Sequence, residues 1–150
     1  MKTIDSKISV GLTTLIEKAA DFHGHLGPFL VIGVRMANTA KKILNATTKD
    51  NTLQATAKIP LLIPFLCIID GIQATTRCTV GNQKLKIEKS KKQITVYFKL
   101  QNSHRTLKVS VNPKIIKELK NKISEGISNE ELAWKIAYMP ESQLFTIEMQ

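Results

Sequence analysis

The sequence predicts an α+β fold in which helices pack on a mixed β-sheet. Two long apolar helical patterns come first, four later segments alternate apolar with polar residues, and two short helical patterns lie near the end. Helices and strands grouped in this way are typical of a helix layer packed against a sheet. With 150 residues and 43% hydrophobic residues, the chain is long enough to form one core. We therefore expect a single domain over residues 1–150.

The two N-terminal helices are predicted from the spacing of their apolar residues. Residues 9–20 repeat apolar side chains at helical intervals, and residues 28–45 are apolar around most of the helix circumference. A helix of the second kind is expected to be buried. Pro28 is suited to its first turn, and Gly33 within it would allow a neighbour to pack closely.

The predicted strands alternate apolar and polar residues. The first covers residues 53–59 and precedes a third apolar helix at residues 65–77. Three more strands are expected at residues 85–88, 93–100 and 105–111. The turns between these three are short enough for antiparallel hairpins.

Two capped helices and a last strand complete the predicted elements. Asn112 followed by a proline opens a helix that ends near residue 124. Ser128, with Glu131 three residues later, matches a capping box and opens a helix that ends before Pro140. Residues 144–149 form a final short strand.

Composition limits the function classes. The formal charge of +10 comes mainly from lysine, since the arginines are Arg35, Arg77 and Arg105. Lysine is a hydrated point charge that rarely reads bases, and only 5% of residues are aromatic, so nucleic-acid binding ranks last. No apolar run approaches the roughly 20 residues that span a bilayer, and no signal-peptide pattern opens the chain. Two cysteines exclude a disulfide framework, so we expect a cytoplasmic protein without a membrane partner.

The most informative stretch is the turn between the first two helices. His23 and His25 flank a glycine, and Gly27 and Pro28 follow. Such a turn would deliver two imidazoles to a helix N-terminus, whose partial positive charge favours neutral rings that are free to coordinate. The alternative is a structural turn in which the imidazoles only cap the helix. His104 is expected on the surface of a hairpin turn.

A second candidate group lies on the third helix. Cys67 and Asp70 are three residues apart and share a face, and together with histidine they would suit zinc or a similar divalent ion. In an unbroken helix Cys78 would point the same way but lie about 16 Å further along, so one metal could not bind both thiols. The alternative for Cys67 is a small apolar core residue.

Four segments resemble a known family. Residues 22–28 (FHGHLGP) and 32–37 (IGVRMA) resemble the FHGHLCPG…GYRMA signature of the FmdE/FwdE family, which is named after formylmethanofuran dehydrogenase. Residues 67–73 (CIIDGIQ) and 76–82 (TRCTVGN) resemble its CFVDAIQ…TGCTLGKGN. The resemblance covers roughly residues 10–111. It implies a FwdE/GAPDH-domain-like α-β-α-β-β-β core, a mixed sheet with helices on one face, to which this chain adds two C-terminal helices.

The resemblance also implies a metal site and partners. The family is associated with the molybdenum or tungsten enzyme that reduces CO2 onto methanofuran, frequently forms homodimers, and carries a metal site of the zinc type. In this chain Gly27, Phe29, Phe65 and Arg77 replace a cysteine, a glycine, an acidic residue and a glycine of the signature. The site is therefore incomplete. The candidate ligands that persist are His25 and Cys67 first, then His23, Asp70 and Cys78.

Two main functional hypotheses follow. The first is an FmdE-like domain with an incomplete site for zinc or another divalent metal, accessory to or derived from formylmethanofuran dehydrogenase; if it is an enzyme, a metal-bound water is the reactive group. The second is a metal-free homodimeric accessory module whose site has decayed, which Gly27, Phe29 and Phe65 favour. Nucleic-acid binding through the lysines is the third.

Overall fold

The computed structural model describes residues 10–46 and 52–150 and confirms the α+β fold. Most predicted elements are present, and a one-turn helix before the last strand is an addition. The predicted start of the first helix at Ser9 lies outside the described residues. The elements in chain order are α1 (Val10–His23), α2 (Pro28–Ile43), β1 (Leu53–Ile59), α3 (Cys67–Thr76), β2 (Leu85–Lys89), β3 (Thr95–Leu100), β4 (Thr106–Val111), α4 (Pro113–Ser124), α5 (Asn129–Tyr138), α6 (Glu141–Leu144) and β5 (Phe145–Met149).

The five strands form one mixed sheet in the order β2-β1-β3-β4-β5. β1 pairs with β2 in parallel, and the other pairs are antiparallel. The predicted hairpin between β3 and β4 is confirmed, but the one between β2 and β3 is wrong because β1 lies between them. The chain crosses from β1 to β2 through α3, and such a crossover is the connection that parallel neighbours need.

One face of the sheet forms the base of the core. β1 alternates buried and half-buried residues along its whole length, and its buried Ala57 lies opposite Val96, which in turn lies opposite Val109. α2 is buried over most of its surface and contacts α1, α3 and α5. The prediction of a buried second helix is therefore confirmed.

α2 and α3 touch through their backbones. A methyl group added at Gly33 would lie 2.1 Å from the carbonyl oxygen of Ile68, and one added at Gly71 would lie 2.3 Å from that of Leu30. Only glycine leaves room for this approach. The close packing expected at Gly33 is confirmed, and it places the first turns of both helices side by side.

Arg35 joins α2 to the end of α5. Its guanidinium donates to the carbonyl oxygens of Ile136, at 2.9 Å, and of Met139. One turn further along α2, the Thr39 hydroxyl donates to Glu141 at 2.8 Å. Burial lowers the pKa of Arg35, and the negative charge of Glu141 opposes that effect.

Two predicted helix caps are confirmed by the structure. The Asn112 side chain accepts from the backbone N–H of Lys114 at 3.0 Å, and that of Ser128 accepts from Glu131 at 3.1 Å. The predicted end of the first helix was wrong, because α1 continues to His23 rather than ending at residue 20. No helix among the described residues is both long and apolar enough to cross a membrane.

Candidate metal centre

The candidate centre lies where α1 ends and α2 and α3 begin. His23 is the last residue of α1, which stops because Gly24 adopts a φ of +104° that favours glycine. His25 therefore lies in the turn, and Gly27 precedes the first residue of α2. The two histidines were expected on one turn, but the structure places one on a helix and one beyond it.

His23 and Asp70 form a close pair across two helices. Nδ1 of His23 lies 2.6 Å from Oδ2 of Asp70, and the other carboxylate oxygen accepts from the Gln73 side-chain amide at 3.2 Å. Because Nδ1 donates to the carboxylate, the neutral ring presents its lone pair on Nε2. That Nε2 atom is buried and has no hydrogen-bond partner among the described residues.

The His25 ring lies beside the His23 ring and close to Gly27. The two ring centroids are 4.7 Å apart, and the ring planes are tilted by 36°. A methyl group added at Gly27 would lie 3.6 Å from Nε2 of His25 and 3.9 Å from Cβ of Asn129 on α5. A longer side chain at residue 27 would therefore start beside His25. Asn129 was not predicted near the site, because no local pattern relates residues so far apart.

Cys67 is the first residue of α3 and is half-buried. Burial raises the pKa of its thiol, the negative charge of Asp70 raises it further, and a backbone hydrogen bond partly opposes both effects. The thiol form is therefore favoured at neutral pH. Within residues 10–46 and 52–150, no three His, Cys, Asp or Glu side chains are arranged to hold a metal ion.

Cys78 lies outside the helix that carries Cys67. α3 ends at Thr76, and Arg77 adopts a left-handed conformation with φ 65°, which agrees with the predicted end of this helix near residue 77, so the helix does not continue to Cys78. The buried Cys78 thiol donates to the carbonyl oxygen of Leu53 at 3.1 Å. Burial raises its pKa, while a hydrogen bond with Thr76 and the charge of Lys84 oppose that rise. Its observed contact joins the end of α3 to the start of β1.

The thiol chemistry of Cys67 can be tested by alkylation. We expect slow reaction with iodoacetamide at pH 8, and a rate that increases with pH, because the raised pKa keeps the thiol protonated. Asp70→Asn removes a negative charge that raises the pKa of the thiol and should accelerate the reaction, because a lower pKa increases the thiolate fraction at a given pH. Mass spectrometry of the peptide containing Cys67 measures the rate. The buried Cys78 is the internal control, and an unchanged rate in Asp70→Asn would contradict this account.

The family model described as "FmdE, Molybdenum formylmethanofuran dehydrogenase operon" matches residues 22–146. The chain belongs to the FmdE family. The fold agrees with the crystal structure of a tungsten formylmethanofuran dehydrogenase FmdE-like protein from Syntrophus aciditrophicus, with a TM-score of 0.62 and 18% identity over 93% of this chain and 71% of that one. At that identity the likeness shows the fold alone.

A curated relative is longer than this FmdE-family chain. The "Probable S-adenosyl-L-methionine-binding protein" of Archaeoglobus fulgidus is 29% identical over 160 aligned positions, which cover 91% of this chain and 42% of that protein. The chain thus spans less than half of the relative, and more than half of the relative has no counterpart here.

Two departures from the FmdE signature contact each other. Phe29 and Phe65 are both buried, and their rings pack edge to face with centroids 5.4 Å apart at 86°. These are two of the positions at which the sequence was expected to depart from the signature, and the structure shows that two packed phenyl rings occupy them. Their sequence positions alone did not indicate that they meet.

Proposed function

We propose that this FmdE-family domain binds one divalent metal ion of the zinc class through His23 and His25, with coordination positions left open. The observation that carries the proposal is the buried Nε2 of His23, which has no hydrogen-bond partner in residues 10–46 and 52–150, on a ring whose other nitrogen contacts Asp70. A carboxylate that orients the far nitrogen of an imidazole is the usual support of a zinc-ligating histidine.

The donor set fits such an ion only in part. His23 and His25 supply two adjacent imidazoles, whereas closed zinc sites need four ligands. Gln73 orients Asp70, and Asp70 holds the tautomer of His23. Cys67 is not grouped with the two histidines as a third ligand among the described residues, so the remaining positions of the proposed ion would be open to water or an exogenous ligand. A bound zinc ion with an open position would supply a Lewis acid and a water of lowered pKa.

Metal titration of the whole chain tests the proposal. Protein purified without an affinity tag or chelator should take up one zinc ion per chain in calorimetry. His23→Ala and His25→Ala should each weaken binding about tenfold or more, and Asp70→Asn should weaken it about 10- to 100-fold.

The matched control is His104→Ala. His104 is exposed in the turn between β3 and β4, so its loss should leave zinc binding and thermal stability unchanged. Zinc uptake that is absent in the unmodified protein, or that falls equally in His104→Ala, would overturn the proposal. Circular dichroism of each variant separates lost binding from lost folding.

The second candidate is a metal-free accessory module. The lack of a three-ligand group among the described residues and the Phe29–Phe65 contact favour it. The Archaeoglobus relative, in which the matching region is less than half of the protein, is consistent with a domain that serves another component. We propose a cytoplasmic homodimer or a component of a formylmethanofuran dehydrogenase complex for this case. Absence of zinc uptake together with a dimer mass in light scattering would support it over the metal site.

A further inference from the structure

We propose that a second site, at one end of the sheet, binds an organic anion that has a planar or apolar body and carries several phosphate or carboxylate groups. The site is a cavity of about 810 Å³ between the segment that leads from β1 to α3, the turn before β3, and α4. That volume lies within the range of small-molecule pockets. None of the candidate metal ligands lines it, so the proposal is independent of the metal.

The floor of the cavity is a row of hydroxyl groups on neighbouring strands. Thr95 lies opposite Ser110, and Ser110 lies opposite Thr146, and all three line the cavity. The Thr95 hydroxyl is 3.0 Å from that of Ser110 and also accepts from the Gln93 side-chain amide at 2.8 Å. Thr95 itself is fully buried, so its hydroxyl holds that of Ser110 in place. Ser110 is half-buried and Thr146 is exposed, so these two hydroxyls can donate to or accept from a ligand.

The apolar wall provides a place for the body of the ligand. Phe65 and Ile116 line the cavity together with Leu62, whose side chain is 63% exposed. An exposed leucine beside a concave apolar wall leaves apolar surface that a ligand can cover. The ring of Phe65 also packs edge to face against the ring of Phe29.

The rim carries uncompensated positive charge. Lys91, Lys92, Lys117 and Lys120 line the cavity, and no aspartate or glutamate in the described part of the chain does. None of these lysines forms an ion pair within the described part of the chain. Glu118, which follows Lys117 in α4, pairs with Lys135 at 2.9 Å. Lys120 Nζ lies 5.0 Å from the centre of the Phe65 ring. One sign of charge around a concave site concentrates ligands of the opposite sign.

Adenine compounds of different charge test the apolar wall and the positively charged rim at once. With the full-length chain, calorimetry should show one site for adenosine triphosphate, weaker binding of adenosine monophosphate, and little binding of adenosine. Inorganic tripolyphosphate, which lacks the base, should bind more weakly than adenosine triphosphate. S-Adenosyl-L-methionine carries the same base with a net positive charge and should not compete. Pteroyltriglutamate is the carboxylate probe, and tighter binding of it than of adenosine triphosphate would assign carboxylate rather than phosphate.

Paired lysine variants locate the site. K117Q/K120Q should weaken binding of the preferred anion about tenfold at low salt. K18Q/K86Q removes the same charge from exposed positions on α1 and β2 that lie outside the cavity and should change affinity less than about twofold. Equal weakening by both pairs, tripolyphosphate binding as tightly as adenosine triphosphate, or no probe binding below about 1 mM would each overturn the proposal.

Discussion

Gly71→Ala is expected to lower the free energy of unfolding by about 3 kcal/mol or more, because the added methyl group would collide with backbone rather than with a movable side chain. It would lie 2.3 Å from the carbonyl oxygen of Leu30 and 2.7 Å from the backbone nitrogen of Val34. Relief requires α2 and α3 to separate. Such a separation would also displace α3, which carries Asp70, relative to its partner His23.

The sign of the effect makes this test decisive. In an exposed helix, alanine in place of glycine stabilises by up to about 1 kcal/mol, so a destabilised Gly71→Ala reports the close approach itself. Urea unfolding followed by circular dichroism measures the change. Gly81→Ala is the matched control, because its added methyl group would lie 3.8 Å from the Thr79 hydroxyl, which is an ordinary contact. A stable Gly71→Ala variant would show that the helices are not in backbone contact.

Arg35→Leu is expected to lower the free energy of unfolding by about 2 to 4 kcal/mol, because it removes two charge-assisted hydrogen bonds at once. The carbonyl oxygens of Ile136 and Met139 would lose the guanidinium at the end of α5, although that of Ile136 would still accept from the Met139 N–H at 3.3 Å. Leucine retains much of the side-chain bulk, so the loss reports hydrogen bonding more than packing. Thermal and urea unfolding at neutral pH, where the guanidinium is charged, would measure it.

Two further variants separate charge from position. Arg105→Leu removes an arginine from an exposed site and should change stability by less than about 0.5 kcal/mol. Arg35→Lys keeps the charge but loses the planar fork that reaches two acceptors, so its stability should fall between those of the native protein and Arg35→Leu. If Arg35→Leu and Arg105→Leu were equally stable, the link between α2 and α5 would carry no energy.

Local patterns predicted most elements of the fold. Asn112 and Ser128 cap their helices as expected, since a cap depends on residues only two or three positions away. Gly33 was expected to permit close packing, but its partner, the backbone of Ile68, could not be named. The position of β2 was wrong because turn length alone cannot reveal that another strand lies between two neighbours in sequence.

The sequence predicted which residues could form the candidate site, but it did not predict how those residues are arranged in space. His23 and Asp70 were both candidates, although they lie 47 positions apart. Their direct pairing, and the buried His23 nitrogen that has no partner among the described residues, were not predicted. The predicted helix ended near residue 77, before Cys78, and α3 does end before Cys78, but the sequence did not indicate that the Cys78 thiol contacts Leu53. Whether either cysteine binds a metal stays a prediction.

The sequence by itself determined the α+β class, the helix caps and the family signature, because periodicity, capping and motif identity are short-range properties of the chain. Only the tertiary structure decided that His23 pairs with Asp70, that Phe29 packs on Phe65, and that β1 lies between β2 and β3. These contacts join segments distant in sequence. They depend on how closely α2 approaches α3 and on which strand edges pair, and neither leaves a local pattern in the sequence.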